Sequence, residues 1–420
     1  MVEYSRYRLD NGLTLIVNEN HDTPLVTVNI LYCVGSRNEN PNRTGFAHLF
    51  EHLMFGGSKN APDYDLVVSR MGGENNAFTN TDITNYYLTF PAEYLEEALK
   101  LEADRMVNLI LSERSLEVQK RVVTEEYNQR YMNQPYGDSW MLLRDLCYEK
   151  HPYKWCTIGA DIRHVQEATL GDVKSFYDRY YRPGNAIMAV AGNVDTSKVK
   201  ELVERYFGGI PDGKEREYFD GKEPEPQENR RKVVERLVPA TAIYMAWLMP
   251  GYKCRDYYVC DLLSDILSNG QSSRMYESLV KRQGLMSEVT AVITGEEGPG
   301  LFLVKGKLND GVNIEDAERA IVAELECLKN EPVSEIELQK VKNKFENTFV
   351  FSQYKAADCA ANLCYYEWLG HIEYVNTEPE QYASIMPSDL QRVARNIFME
   401  NRSRTLIINP MGEEENEKTD

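Results

Sequence analysis

Residues 211–230 read "PDGKEREYFDGKEPEPQENR". Proline, glycine and charge dominate the stretch, and no apolar residue recurs at a strand or helix period, so it reads as a linker. On its N-terminal side, "YRLDNGLTLIVNE" (7–19) gives two strands around an Asn-Gly turn, and "LVTVNILYCVG" (25–35) gives another. A helix carrying residues 48–52 follows. Then come the strand pair "NNAFTNTDITNYYLTF" (75–90), helices over 93–109 and 112–131 with Ser112 as N-cap, the helix "LGDVKSFYDRYY" (170–181) and the strand "AIMAVAGNV" (186–194). On the C-terminal side the order restarts. "TAIYMAWLMPGY" (241–252) is a strand, "DYYVCDLLSDILS" (256–268) a helix, and "EVTAVITGEEGPGLFLVKGKL" (288–308) a strand pair. Helices over 313–330 and 334–351 precede the last strand, "RTLIINP" (404–410).

The repeated order predicts two duplicated α+β domains, each a mostly antiparallel sheet with helices packed on one face. The boundaries are 1–210, a linker at 211–230, 231–410, and an acidic tail at 411–420. The 420 residues suffice for two cores, and 42% of them are hydrophobic, as expected of a globular chain. A formal net charge of −19 argues against nucleic acid or an anionic membrane as partner. No apolar run approaches the roughly 20 residues of a membrane helix. The opening "MVEYSRYRLDNGLTLIV" lacks a signal-peptide pattern, and the eight cysteines form no C-x-x-C pair. Reduced thiols and a cytoplasmic location follow as expectations, with a periplasmic one if a signal peptide has been removed.

The chemistry concentrates in "GFAHLFEHLMFGGS" (45–58). On a helix, His48 and His52 lie four residues apart on one face and can direct two imidazoles at one point. Zinc accepts neutral imidazole, and a catalytic zinc takes three protein ligands while keeping one position open. Glu51 stands beside the pair, placed to move a proton. The order H-x-x-E-H is the inverzincin signature. The bland alternative is a surface helix, but the apolar flanks make this helix partly buried, where unpartnered histidines are costly. A third ligand must come from elsewhere. In "LEVQKRVVTEEYNQRY" (116–131) Glu125 and Glu126 point about 100° apart, and either carboxylate could serve. His151, His164 and His371 have no ligand spacing and read as structural or exposed.

With these pieces in view, the chain resembles the M16 metallopeptidases, the family of pitrilysin, insulin-degrading enzyme and the mitochondrial processing peptidase. The matching segments are "HLFEHLMFGGS", "NAFTNTDITNYY", "VVTEEY", "YYRPGNAIMAVAGNVD" and "GQSSRMYESLVKRQGL", in the family order. The length is similar to the half-length M16B type, in which two such chains form one peptidase. The resemblance implies a LuxS/MPP-like metallohydrolase fold and one Zn2+ per chain held by His48, His52 and Glu126. It also implies Glu51 as catalytic base and hydrolysis of unstructured peptides. It selects Glu126 over Glu125, which then stands near the ligands or in solvent. Gln119 occupies a position where the family often has an acid, and can still hydrogen-bond beside the ligands. The strand with Asn76, Ala77 and Phe78 resembles the edge against which the family aligns its substrate by strand addition.

One departure matters. The family also uses an Arg and a Tyr, seven residues apart, from its C-terminal half. Here Val280 and Ser287 occupy those positions, with Lys281 and Arg282 out of register. The expectation is a heterodimer with a second M16-like chain that supplies the pair. Active homodimers and non-catalytic subunits of the family are the alternatives. The S-ribosylhomocysteine lyase shares the H-x-x-E-H helix but is much shorter.

Overall fold

The computed structural model describes residues 1–212 and 222–411. Most of the acidic tail and the middle of the 211–230 linker therefore lie outside the described residues. The chain divides into two compact units. The first comprises Met1–Tyr127, Trp155–Asp220 and Thr348–Glu378; the second comprises Asn128–Lys154, Gly221–Asn347 and Pro379–Asp420.

The first unit is built on six strands: β1 (Ser5–Arg8), β2 (Thr14–Glu19), β3 (Leu25–Tyr32), β4 (Glu74–Thr79), β5 (Thr84–Pro91) and β6 (Ala186–Gly192). Their order is β1-β2-β6-β3-β5-β4. All pairs are antiparallel except β2 with β6. Gly12, at φ +87, supplies the left-handed residue of the Asn-Gly turn between β1 and β2. All seven residues of β6 are buried, as a central strand of continuous apolar sequence requires. β4 is an edge strand whose residues alternate between exposed and half-buried.

The second unit repeats this plan. It holds β7 (Arg230–Arg236), β8 (Ala242–Met249), β9 (Met286–Ile293), β10 (Gly300–Leu308) and β11 (Arg404–Pro410), in the order β7-β11-β8-β10-β9. Again one pair is parallel, β7 with β11. Strand for strand, β2-β6-β3-β5-β4 maps onto β7-β11-β8-β10-β9. The two sheets share order and direction, which is the duplication expected from the element sequence.

Each sheet has two faces, and they are covered differently. In the first unit Tyr86 of β5 points to the Phe46–Leu53 helix, with its hydroxyl 3.3 Å from the Phe50 carbonyl. Its strand neighbour Asn85 points the other way by the pleat and bonds Asn29 across the strands at 2.8 Å. That second face is covered by the helix Ala356–Leu369, whose Cys359 thiol reaches Asn18 and whose Cys364 thiol reaches the Asn29 carbonyl. In the second unit the helix Ser139–Cys147 plays the same part. Leu143 and Cys147 pack with Tyr148 and Tyr153 against Tyr244, Ala246, Leu303 and Leu406. Arg144 adds a buried ion pair to Glu296, and its Nε donates to the Tyr153 carbonyl at 2.6 Å. Each unit therefore completes its core with a helix from the other half of the sequence, so the units do not coincide with the sequence halves 1–210 and 231–410. Neither helix was read from the sequence.

The predicted helix 112–131 is α-helical over Glu113–Tyr127 and then widens into a π turn over Asn128–Met132. At its start Ser112 Oγ accepts from Ser115 N at 3.1 Å, as a cap should. No disulfide links any of the eight cysteines. Among the described residues, no helix is long and apolar enough to cross a membrane.

Candidate metal centre

The helix Phe46–Leu53 begins at Gly45, whose φ of +88 turns the chain into the first helical residue. A Cβ there would stand 2.7 Å from Val165 Cγ2 and 2.8 Å from the Ile158 carbonyl, so glycine is required for space as well as for φ. Since glycine has no capping side chain, the amides of the first turn need an acceptor from elsewhere. Glu39 provides it. Its Oε2 accepts from Gly45 N at 2.9 Å and its Oε1 from Ala47 N at 2.8 Å. Burial pushes the Glu39 carboxyl up to about 8, against the opposing pull of the Ala47 and Gly45 amides. His164 Nδ1 lies 2.8 Å from the Thr44 hydroxyl and fixes the residue just before the helix.

The helix buries Phe46, Ala47, His48, Leu49, Phe50 and Leu53. Phe50 stacks on Phe176 and Tyr181, with ring centroids at 5.2 and 5.0 Å. Beneath its C-terminal end sits a buried cation. Arg105 pairs with Glu102 at 2.5 Å and lies 4.7 Å from the ring centroids of both Tyr64 and Tyr86. Tyr64 donates to the same Glu102 at 2.8 Å. This apolar packing, with a satisfied acid, leaves the helix one open side, the side of His48 and His52.

Those two rings stand nearly perpendicular, at 88°, with centroids 4.9 Å apart. Glu126, from the helix Glu113–Tyr127, approaches both: its Oε2 is 3.6 Å from His48 Nε2 and 3.3 Å from His52 Nε2. All three ligand atoms lie within 4.8 Å of one another. Zinc bonds of about 2.0–2.1 Å at a tetrahedral angle place ligand atoms roughly 3.3 Å apart, so the carboxylate-to-imidazole spacings fit that ion. Two nitrogens and one oxygen suit zinc and its transition-metal neighbours better than calcium or magnesium, which favour oxygen sets. Three ligands leave a fourth position for water or substrate. Among the described residues no other His, Cys, Asp and Glu side chains form such a group.

The remaining predicted residues fall as follows. Glu51 is half-buried on the metal helix, one turn from His48, and its charge is felt by the Tyr86 and Tyr181 hydroxyls. Glu125 is exposed and outside the ligand group; Gln119 is half-buried on the same helix. Asn76, Ala77 and Phe78 lie on edge strand β4, which packs beside the metal helix, and Phe78 is 45% exposed. In the second unit, Val280 is half-buried in the π-helical turn Tyr276–Arg282. Ser287 is exposed, its hydroxyl 3.4 Å from the Lys307 carbonyl. Arg282 points back to the Glu277 carbonyl at 3.4 Å, and Lys281 pairs with Glu277 at 2.8 Å.

Of the other histidines, His151 is buried, with Nδ1 accepting from Tyr153 N at 3.2 Å. His371 is stacked on Tyr374. Glu39 was not anticipated. Its one signal was a helix that starts at glycine without a capping side chain, preceded by an isolated acid in "CVGSRNENPNRTG" (33–45).

The chain as a whole is similar to known proteins. Two sequence profiles match: "Insulinase (Peptidase family M16)" over residues 14–146 and "Peptidase M16 inactive domain" over residues 167–345. "Zinc protease PqqE" of Helicobacter pylori is 32% identical over 410 residues, covering 96% of this chain and 92% of that protein. The beta subunit of the mitochondrial-processing peptidase of Saccharomyces cerevisiae is 27% identical over 270 residues, 62% of this chain and 57% of that one. The crystal structure of a protease from Helicobacter pylori superposes with a TM-score of 0.92 at 31% identity, over 98% of this chain and 100% of that chain.

Proposed function

The chain belongs to peptidase family M16, and from that premise we propose that it is a zinc-dependent endopeptidase acting on unstructured peptides. The observation that carries the reading is the convergence of His48, His52 and Glu126. Those three residues would hold the ion. A zinc ion bound there would supply Lewis acidity, polarising a peptide carbonyl and making water a competent nucleophile. Glu51 takes the proton of the attacking water and delivers it to the departing amine. The free edge of β4 offers backbone amides and carbonyls to an extended peptide, with Asn76, Ala77 and Phe78 as contacts. Such recognition demands an unfolded segment, which supports peptides rather than stable folded proteins as substrates.

We further propose that a second M16-like chain completes the site. The support is chemical. A peptide hydrolase needs a donor for the oxyanion that develops at the scissile carbonyl. Val280 has none to offer, the Ser287 hydroxyl is short and rests against a backbone carbonyl, and Arg282 and Lys281 turn to Glu277. The experiment is to assay a fluorogenic peptide with the zinc-loaded chain, the Glu51→Gln variant, and the chain mixed with a partner carrying the Arg/Tyr pair. Zinc-dependent turnover that Glu51→Gln abolishes supports the reading. Turnover that persists in Glu51→Gln or after metal chelation rejects it.

A further inference from the structure

Glu39 carries a carboxyl group more than nine-tenths buried, 6% exposed, that no catalytic role claims. It uses one oxygen on each of two amides, and those amides, of Gly45 and Ala47, bracket the entry to the helix that presents His48 and His52. A local cap is ruled out by the space around Gly45, where a side chain would strike Val165 and the Ile158 carbonyl. The loop that carries Glu39 is itself anchored. Ser36 N donates to the Asn80 carbonyl at 3.2 Å, Arg37 N to the Thr81 carbonyl at 2.9 Å, and the Trp155 indole to the Ser36 carbonyl at 2.9 Å. The loop is thus braced on the turn between β4 and β5, and Glu39 ties the start of the helix to that loop.

We propose that Glu39 is a positioning residue for the metal: by gripping both amides of the first turn it sets the axial register of His48 and His52 toward Glu126. An ion held by two helical histidines and one carboxylate from another helix tolerates little axial slip, because each ligand bond is about 2.0–2.2 Å long. Protonated or ionised, a carboxyl group can accept from both amides, because each of its oxygens keeps a lone pair. A carboxamide accepts through its one oxygen and turns its amino group toward the other amide. The inference rests on the metal reading above and adds a residue that touches neither metal nor substrate.

The test compares wild type with Glu39→Gln and Glu39→Asp. Zinc affinity is read by competition with a chromophoric chelator, the metal-free melting temperature by circular dichroism, and ligand geometry by the visible spectrum of the cobalt-substituted protein. The expected result is zinc affinity weakened about 10- to 100-fold, the range for loss of a partner that orients metal ligands. An altered cobalt spectrum and a fall in kcat with KM unchanged should accompany it. Variants that melt earlier yet bind zinc as tightly as wild type overturn the proposal, since a purely structural cap does that. A wild type that binds no zinc overturns the metal reading as well. Should neither variant fold, the wild type decides: zinc should slow hydrogen exchange at the Gly45 and Ala47 amides, and unchanged exchange overturns the proposal.

Discussion

Glu126 Oε2 stands 3.3 Å from His52 Nε2, although 74 positions separate the two residues in the chain and they come from different helices. A carboxylate aimed at an imidazole at that spacing suits an ion bridging them, and the chemistry depends on which of the surrounding acids does what.

Glu51→Gln should retain zinc and lose peptide hydrolysis by about 100- to 10,000-fold in kcat, the span attributed to a positioned acid–base group. Metal content by atomic absorption and turnover on one preparation check this. A variant that loses zinc would move Glu51 into the ligand set.

Glu126→Gln and Glu125→Gln should separate cleanly. The first removes a ligand and should weaken zinc binding beyond the roughly 10- to 100-fold typical of losing an outer partner. The second alters an exposed side chain and should leave affinity within a few-fold of wild type. Chelator competition on both variants checks the pair, and equal losses would contradict the geometry.

Stability should carry a pH signature from Glu39. Unfolded, its carboxyl ionises near 4.5; folded, burial pushes it up to about 8. Between those values the folded chain holds a proton that the unfolded chain has released, so its contribution to stability is full below about 4.5, falls as pH rises, and levels off above about 8. Glu39→Gln should flatten that segment of the profile. Urea midpoints from pH 4 to 9 for both proteins check it, and parallel profiles would refute it.

Leu363→Ala, in the helix that covers the second face of the first sheet, should cost about 2–5 kcal/mol, as for other fully buried leucines. The measurement is equilibrium urea unfolding. A cost below about 1 kcal/mol would mean that this face is not part of the core.

Mixing the chain with a partner that bears the Arg/Tyr pair should raise kcat by about 100- to 1,000-fold, the usual worth of one oxyanion donor. Titration to a sharp equivalence point would give the stoichiometry. Full activity of the lone chain would exclude the shared site.

Much of this was legible from spacing. His48 and His52 share a helical face by arithmetic alone, and the restart of element order after 211–230 gave the doubled sheet. Periodicity could not choose between Glu125 and Glu126, because both project from one helix and only its packing decides which faces the histidines. Glu39 was illegible for a stronger reason: its partners depend on how a loop folds back. The helices Ser139–Cys147 and Ala356–Leu369 escaped because sequence order suggests that a segment packs on its neighbours. "AADCAANLCYYEWL" has few charges and no strongly polar face, which marks burial without saying against which sheet.

That helix also sets a timetable for biosynthesis. A ribosome finishes β3 and β6 well before it reaches residue 369, so the nascent first sheet waits with Leu31 and Ile187, paired across the two strands, on a face without its cover. Domains usually fold one after another as they emerge. Here the first cannot close until the second is nearly made, and the second in turn needs a helix from the first half of the chain. Residues 1–210 produced alone should bind an apolar dye that the whole chain excludes. Neither half is a module that recombination could lift out intact: the gene duplicated a fold, and the product then made the two copies indivisible.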